Sequence, residues 1–185
     1  ALQVGHTSPS SLERVRRQMG TSAIVEWISQ GWEQLPEIVD PGIAHDIRAL
    51  ADDPGPVATA AARLPQTLSP TDPRPANLAV DTARGRVYFL DWARPAPALP
   101  AYDLLYWVFT GDRHLAVPRE ALIDAYARAL ARARGGDDTM DWWEEQLALS
   151  YVAFVASFAG IKAQAKPSAL PWWIERIRPG LDALT

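Results

Sequence analysis

The middle of the sequence reads Leu68-Ser-Pro-Thr-Asp72-Pro-Arg74-Pro-Ala-Asn77-Leu-Ala-Val80, then Val87-Tyr-Phe-Leu-Asp91-Trp92, then Ala101-Tyr102-Asp103-Leu104. Asn77–Val80 and Arg86–Leu90 are short apolar runs, and the Asp81-Thr-Ala-Arg-Gly85 segment between them is rich in turn residues. Short apolar runs on either side of a turn are typical of a β-hairpin. The sequence therefore predicts a proline-stiffened loop that carries Asp72, followed by a two-stranded ribbon.

Three oxygen-bearing side chains belong to this segment. Asp72 lies in the loop, Asn77 begins one strand and Asp91 ends the other. Because the two strands of a hairpin are antiparallel, the start of the first and the end of the second lie at the same end of the ribbon. Carboxylate and carboxamide oxygens are ligands that Mg²⁺ takes, usually with phosphates and waters. A further carboxylate that binds no metal would be able to accept a hydroxyl proton.

Outside this segment the chain has a helical pattern. Apolar residues recur at helical spacing over Leu12–Met19, Ile24–Leu35, Ile43–Leu50, Val57–Leu64, Leu122–Ala133 and Met140–Phe158, and a last helix is expected near Ser168–Arg178. Proline and glycine clusters separate these stripes, and Gly135 ends one of them. We predict one domain over residues 1–185, of the α+β class and mainly α-helical, with its small β-hairpin at the loop.

Composition excludes several classes of function. The net charge is −4 and the pI about 5.4, with dispersed Lys and Arg, so nucleic acid is not an expected main partner. The chain has no cysteine, and His6, His45 and His114 are too scattered for a zinc site. The uninterrupted apolar run in Tyr151–Ile161 is shorter than the ~20 residues of a membrane span. We expect a cytoplasmic protein with no membrane partner.

The motif and its spacing resemble a known family. Asp-x-x-x-x-Asn followed by a hairpin that ends in apolar-apolar-Asp is similar to the catalytic and metal loops that protein kinases share with antibiotic kinases. The Asp91-Trp92 pair favours the aminoglycoside phosphotransferase and choline kinase type. That family commonly has His-Gly-Asp-x-x-x-x-Asn, Ile-Asp-Trp and Tyr-Asp-Leu, and this chain supplies Asp72, Asn77, Asp91-Trp92 and Tyr102-Asp103-Leu104 in the same order.

The resemblance implies a role for each residue. Asp72 would orient the acceptor hydroxyl and take its proton, and Arg74 would neutralise charge on the transferred group. Asn77 and Asp91 would hold Mg²⁺ on the phosphates of ATP or another nucleoside triphosphate. Asp103 would support the catalytic loop from behind. The alternative for each is structural: Asp72 turns the loop, Asn77 and Asp91 satisfy amides at the hairpin end, and Asp103 caps a helix.

Two departures from the family limit the resemblance. Pro70 and Thr71 precede Asp72, where the family has His and Gly. Upstream of Asp72 there is neither a glycine-rich phosphate loop nor a strand lysine followed by a helix glutamate. The resemblance therefore covers only the C-terminal lobe of the protein-kinase-like fold, and the N-terminal nucleotide-binding lobe is absent from the sequence. The lobe by itself is expected to be inactive or nearly so.

The function expected from the resemblance is that of an ATP- and Mg-dependent phosphotransferase lobe, acting on a hydroxyl of a small polar molecule. The family includes kinases for aminoglycosides and for other small alcohols and amines such as choline. If the acceptor is an aminoglycoside, the function would be antibiotic resistance. Fold resemblance does not select among these acceptors. The alternative is a kinase-like binding module that has lost catalysis, and a third reading is an unrelated helical interaction domain.

Overall fold

A computed structural model of the chain describes residues 23–73, 77–93, 95–111, 115–136 and 140–184. It is mainly helical with small antiparallel sheets, which confirms the α+β class. The described residues form two compact units, one over Leu64–Leu147 and the other made of residues 23–63 and 148–184. The single domain stays a prediction, and the helix expected at Leu12–Met19 lies outside the described residues.

The described helices follow the predicted patterns except for one, α4, over which no apolar stripe was predicted. They are α1 (Ala23–Ile38), α2 (Pro41–Asp52), α3 (Gly55–Ala61), α4 (Pro100–Gly111), α5 (Arg119–Arg134), α6 (Trp143–Ala165) and α7 (Leu170–Asp182), with a 3₁₀ turn over Pro167–Ala169. Asp40 caps α2, because its Oδ1 accepts from the backbone N–H groups of Gly42 and Ile43. Gly135 ends α5 as predicted, in the left-handed region with a φ of 103°.

In the unit made of residues 23–63 and 148–184, helices α1 and α6 meet at two glycines. A Cβ on Gly31 would collide with the carbonyl group of Gly160, and a Cβ on Gly160 would collide with the Trp32 ring. Ile28, Trp32 and Leu35 of the predicted α1 stripe are buried, and so is Val25, which was not predicted. Close backbone approach at the glycines therefore lets the α1 stripe pack on α6.

Helix α6 is longer and more apolar than the short apolar run in Tyr151–Ile161 predicted. Its 23 residues include a window of mean hydropathy 1.4, so by length and composition it is able to cross a membrane. No continuous apolar run in this helix is long, because polar or small residues interrupt it at Ser150, Ser157, Gly160 and Lys162. The window is 78% buried inside the protein, as the core helix of a folded domain is. The cytoplasmic location stays a prediction.

The unit over Leu64–Leu147 contains two antiparallel ribbons, one nested within the other along the chain. In the outer ribbon, β1 (Thr67–Ser69) pairs with β4 (Ala96–Ala98), and in the inner one β2 (Leu78–Asp81) pairs with β3 (Arg86–Phe89). The inner ribbon is the predicted hairpin; the outer one was not predicted. Two segments, 70–77 and 90–95, connect the ribbons, and they contain Asp72, Asn77 and Asp91.

A buried glutamine of α6 holds both ends of the outer ribbon. Gln146 is fully buried. Its Nε2 donates to the carbonyl oxygen of Pro65 at 2.8 Å, and its Oε1 accepts from the N–H of Ala101 at 3.4 Å. Pro65 precedes β1, and Ala101 lies in the first turn of α4, which follows β4. One side chain thus ties the entry of the ribbon segment to its exit.

Candidate functional site

The loop that carries Asp72 is closed by a hydrogen bond from Asn77. The Asn77 Nδ2 donates to the backbone carbonyl oxygen of Asp72 at 2.9 Å, and both residues are half-buried. This bond uses the amide nitrogen, so the Oδ1 of Asn77 is the atom of that side chain suited to bind a cation. The predicted proximity of Asp72 and Asn77 is therefore seen, through the backbone of one and the side chain of the other.

Asp91 lies at the same end of the inner ribbon as Asn77. The N–H of Leu90 donates to the carbonyl oxygen of Asn77 at 2.8 Å, which continues the pairing of β2 and β3 by one residue. Asp91 follows directly, is exposed and has a φ of 57°. The Trp92 Nε1 donates back to the carbonyl oxygen of Phe89 at 2.9 Å, which closes the turn around Asp91. The structure thus brings Asn77 into contact with the backbone of Asp72 and pairs it with Leu90, the residue before Asp91.

Asp103 is connected to the loop through a serine that the sequence argument did not consider. The Ser69 Oγ donates to Asp103 Oδ1 at 2.6 Å and accepts from the N–H of Thr71 at 2.8 Å. Asp103 is the fourth residue of α4 and not its N-cap, so the capping alternative is wrong. Only the position of Ser69, three residues before Asp72 in a proline-rich loop, pointed to it in the sequence. The fifth predicted residue, Arg74, lies outside the described residues.

Burial dominates the electrostatics of this connection. Burial raises the pKa of Asp103 from 3.8 to about 6, and the hydrogen bond from Ser69 lowers it in part. Tyr126 has its pKa raised to about 12, first by burial and second by the negative charge of Asp103. The Tyr126 hydroxyl donates to the carbonyl oxygen of Pro100 at 3.4 Å, and its ring stacks on Trp143. At neutral pH, Tyr126 is therefore a neutral donor beside the Asp103 carboxyl group.

Left-handed backbone occurs at one candidate residue, Asp91, and at Thr71, the residue before Asp72. Among the described residues, the non-glycine positions with a positive φ are Thr71 at 63° and Asp91 at 57°. Asp tolerates this region better than other residues do, but for a β-branched residue such as Thr it is a genuine outlier. The left-handed conformation costs roughly 1–2 kcal/mol for a residue with a Cβ. Surrounding contacts, among them the Ser69 bond to the Thr71 N–H, must offset that cost.

A divalent ion at this site would have few protein ligands. Within the described ranges, no three His, Cys, Asp or Glu side chains form a metal-binding group. The candidate donors are the Asp91 carboxylate and the Asn77 amide oxygen. One carboxylate with one further oxygen suits Mg²⁺ on a nucleotide, since Mg²⁺ retains waters and binds substrate phosphates. The donor set therefore fits Mg²⁺ delivered with phosphates and does not fit an ion held by protein alone.

One face of the inner ribbon is apolar and exposed. Leu78 and Val80 of β2 lie on the same face as their partners Phe89 and Val87 of β3. Val80 is 65% exposed, Val87 55% and Phe89 48%. Neighbouring exposed apolar side chains of this kind mark an interaction surface more often than isolated ones do. The face directly adjoins Asn77 and Asp91.

The backbone at Thr71 generates a stability prediction. We expect Thr71→Gly to be more stable than Thr71→Ala by about 1 kcal/mol, because glycine has no Cβ penalty in the left-handed region. Thr59, exposed in α3, is the matched control, and there the order should reverse, with alanine better by about 0.5–1 kcal/mol. Urea unfolding of the four variants measures both differences. An alanine variant as stable as the glycine variant at position 71 would contradict the left-handed backbone.

The raised pKa of Asp103 generates a pH prediction. Between about pH 4 and pH 6 the folded protein retains a proton on Asp103 that the unfolded chain has lost. The contribution of this group to the free energy of unfolding is therefore fully present below pH 4 and is lost as the pH rises through 6. Asp103→Asn has no ionisable group, so this contribution to the free energy of unfolding should not fall as the pH rises. Its amide oxygen is still able to accept the hydrogen bond from Ser69.

The measurement is the free energy of unfolding of both proteins from pH 3.5 to 7. At pH 3.5 Asp103 is neutral in both states, so the variant and the parent should agree closely. By pH 7 the variant should have gained on the order of 2 kcal/mol relative to the parent. A difference that does not change with pH would show that Asp103 ionises as freely in the folded protein as in the unfolded chain.

Comparison with known proteins adds no assignment to this geometry. No family model matches the chain, and neither the curated proteins nor the solved structures include a match. The resemblance to the aminoglycoside phosphotransferase and choline kinase type therefore stays a prediction. What is known of the site comes from its own residues: the loop closed by Asn77, the turn at Asp91 and the connection from Asp103 through Ser69.

Proposed function

We propose that this chain is the catalytic, C-terminal lobe of a small-molecule kinase of the protein-kinase-like fold. It would transfer the terminal phosphoryl group of ATP, or of another nucleoside triphosphate, to a hydroxyl of a small polar acceptor. The observation that carries the proposal is that Asn77, at one end of the inner ribbon, donates to the backbone of Asp72 and pairs with Leu90, the residue before Asp91. Positioning and charge neutralisation are what phosphoryl transfer requires of a protein.

Each residue has a distinct task in this proposal. The Asp72 carboxylate accepts a hydrogen bond from the acceptor hydroxyl and receives its proton as the new P–O bond forms. The Asn77 Oδ1 and the Asp91 carboxylate hold Mg²⁺, which when bound neutralises charge on the nucleotide phosphates. Arg74 supplies a further positive charge to the transferred group. Asp103 keeps the loop in place through Ser69 and does not touch the reacting atoms.

The backbone of Thr71 supports the resemblance at a position where the side chain departs from it. The family commonly has glycine immediately before the catalytic aspartate, and glycine adopts positive φ about as readily as negative φ. Thr71 adopts a φ of 63° although it is not glycine. This conformation is compatible with the family pattern, and contacts of this chain accommodate the strain.

The apolar face of the inner ribbon supports the part of the proposal that concerns an N-terminal lobe. Val80, Val87 and Phe89 are about half exposed or more, on the ribbon that also presents Asn77 and Asp91. A nucleotide held at Asp91 through Mg²⁺ on its phosphates, and covered by an N-terminal lobe, would remove such a face from water. Burial of apolar area stabilises a complex by about 25 cal/mol per Å². Nucleotide binding by this chain in isolation is accordingly expected to be weak.

A kinase-like binding module is the second candidate. It is favoured by Pro70, because proline has no N–H and a fixed φ where the family has a histidine that helps to fix the loop. Such a module would retain the loop closure by Asn77 and bind a nucleotide or the small molecule without turnover. The two candidates differ in one measurable property, which is the consumption of ATP in the presence of an acceptor.

The test of the proposal is phosphotransfer by the chain joined to its proposed N-terminal lobe. ATP consumption is measured with Mg²⁺ and a panel of hydroxylated acceptors that includes aminoglycosides, choline, homoserine and sugars. Asp72→Asn should lower kcat by roughly 10²- to 10⁴-fold, the usual contribution of a general base, with nucleotide affinity nearly unchanged. Asp46→Asn, on an exposed position of α2, is the matched control and should retain full turnover.

Three outcomes are informative. Loss of turnover in Asp72→Asn with retained nucleotide affinity supports the kinase. Normal turnover in Asp72→Asn removes that residue from its proposed role. Nucleotide binding by the parent protein without turnover on any acceptor supports the binding module instead.

A further inference from the structure

Ser69 uses one hydroxyl group for two hydrogen bonds. It ends β1, three residues before Asp72, and its side chain has no exposed area. The Oγ donates a hydrogen bond to the Asp103 Oδ1 at 2.6 Å and accepts one from the N–H of Thr71 at 2.8 Å. A hydroxyl has a single proton and two acceptor lone pairs. The Ser69 hydroxyl hydrogen points toward Asp103. The Ser69 Oγ is therefore able to accept the hydrogen bond from the Thr71 N–H.

The hydrogen bond to the Thr71 N–H holds a residue whose backbone conformation needs support. Thr71 is in the left-handed region, which a β-branched residue rarely adopts without support. Its conformation sets the direction in which the backbone enters Asp72. On the other side, the carbonyl oxygen of Asp72 accepts from Asn77. The backbone around Asp72 is therefore restrained on its entry side by Ser69 and on its exit side by Asn77.

We propose that Ser69 is a positioning residue for phosphoryl transfer, which fixes the direction of the Asp72 carboxylate because its hydroxyl links the Thr71 N–H to the Asp103 carboxyl group. The inference rests on the proposed function, since it assigns to Ser69 a role in that reaction. Ser69 touches neither the acceptor nor the nucleotide. Its effect passes through two backbone dihedral angles, those of Thr71, to the residue that receives the proton.

The test compares two buried serines. Ser69→Ala removes the hydroxyl that connects Asp103 to Thr71. Ser157→Ala is the matched control, because Ser157 is also buried and its Oγ donates to the carbonyl oxygen of Ala153 at 2.7 Å within α6. Ser69→Ala loses two hydrogen bonds of a buried serine, and Ser157→Ala loses the one to Ala153. A role limited to stability therefore predicts that Ser69→Ala unfolds more easily but that both variants, while folded, retain the parent kcat.

Two readouts separate positioning from stability. The first is hydrogen exchange of the Thr71 amide by NMR, which should become about tenfold faster in Ser69→Ala and stay unchanged in Ser157→Ala. The second is turnover of the chain joined to its proposed N-terminal lobe. There kcat should fall by about 100-fold in Ser69→Ala at unchanged KM for ATP, as expected when a catalytic group is displaced. Ser157→Ala should retain the parent kcat.

Asp103→Ala breaks the same hydrogen-bonded connection from its other end, and it is used if Ser69→Ala fails to fold. It removes the acceptor that orients the Ser69 hydroxyl, so Thr71 exchange and kcat should change in the same direction as for Ser69→Ala. Asp103→Asn retains an acceptor oxygen and should preserve most of the Thr71 protection. Rescue by Asn together with loss in Ala is the pattern expected of an oriented hydroxyl.

Failure of this inference and failure of the proposed function look different. If the parent protein turns over and Ser69→Ala matches it in kcat and in Thr71 exchange, Ser69 has no positioning role and the kinase remains. If the parent protein shows a protected Thr71 amide but no turnover on any acceptor, the proposed function fails, and the catalytic role of Ser69 fails with it.

Discussion

Pairing between β1 and β4 is the constraint on which the rest of the site depends. By aligning Ser69 with Ala96, it turns the whole segment between them into one closed loop. Gln146 holds the same closure from outside, through Pro65 and Ala101. The inner ribbon then brings Asn77 next to the residue before Asp91. The Ser69–Asp103 hydrogen bond is a further contact between the segment before Asp72 and the segment after Asp91.

The site departs from low-energy local structure at several adjacent points. Thr71 and Asp91 adopt positive φ, and Asp103 places a carboxyl group in a largely buried environment. Strained backbone and buried ionisable groups each cost free energy, and they persist only where the surroundings hold them. Here the holding groups are identifiable: the Ser69 hydroxyl, the Asn77 amide and the Trp92 indole. Clustering of such features is typical of functional sites.

The sequence predicted those parts of the structure that have a periodic pattern. The α1 stripe and the Val87–Phe89 strand repeat apolar residues at the spacing of a helix and a strand, so their burial or pairing follows from pattern alone. The outer ribbon was missed, because its strands have three residues each and one contains Pro97. Ser69 was missed since a single serine beside Pro70 has no pattern, and its partner Asp103 is distant in sequence. Long-range polar contacts of this kind require the fold to be known.

Paramagnetic broadening by Mn²⁺, used in place of Mg²⁺ with a nucleotide, tests most directly whether Asn77 and Asp91 share one ion. In the NMR spectrum of the chain joined to its proposed N-terminal lobe, the Asn77 side-chain amide and the Asp91 backbone amide should broaden first. Signals near Asp46 in α2 should stay sharp, and Asp91→Ala should abolish the broadening at Asn77. Broadening that spares Asn77, or that persists in Asp91→Ala, would contradict a shared ion at this end of the ribbon.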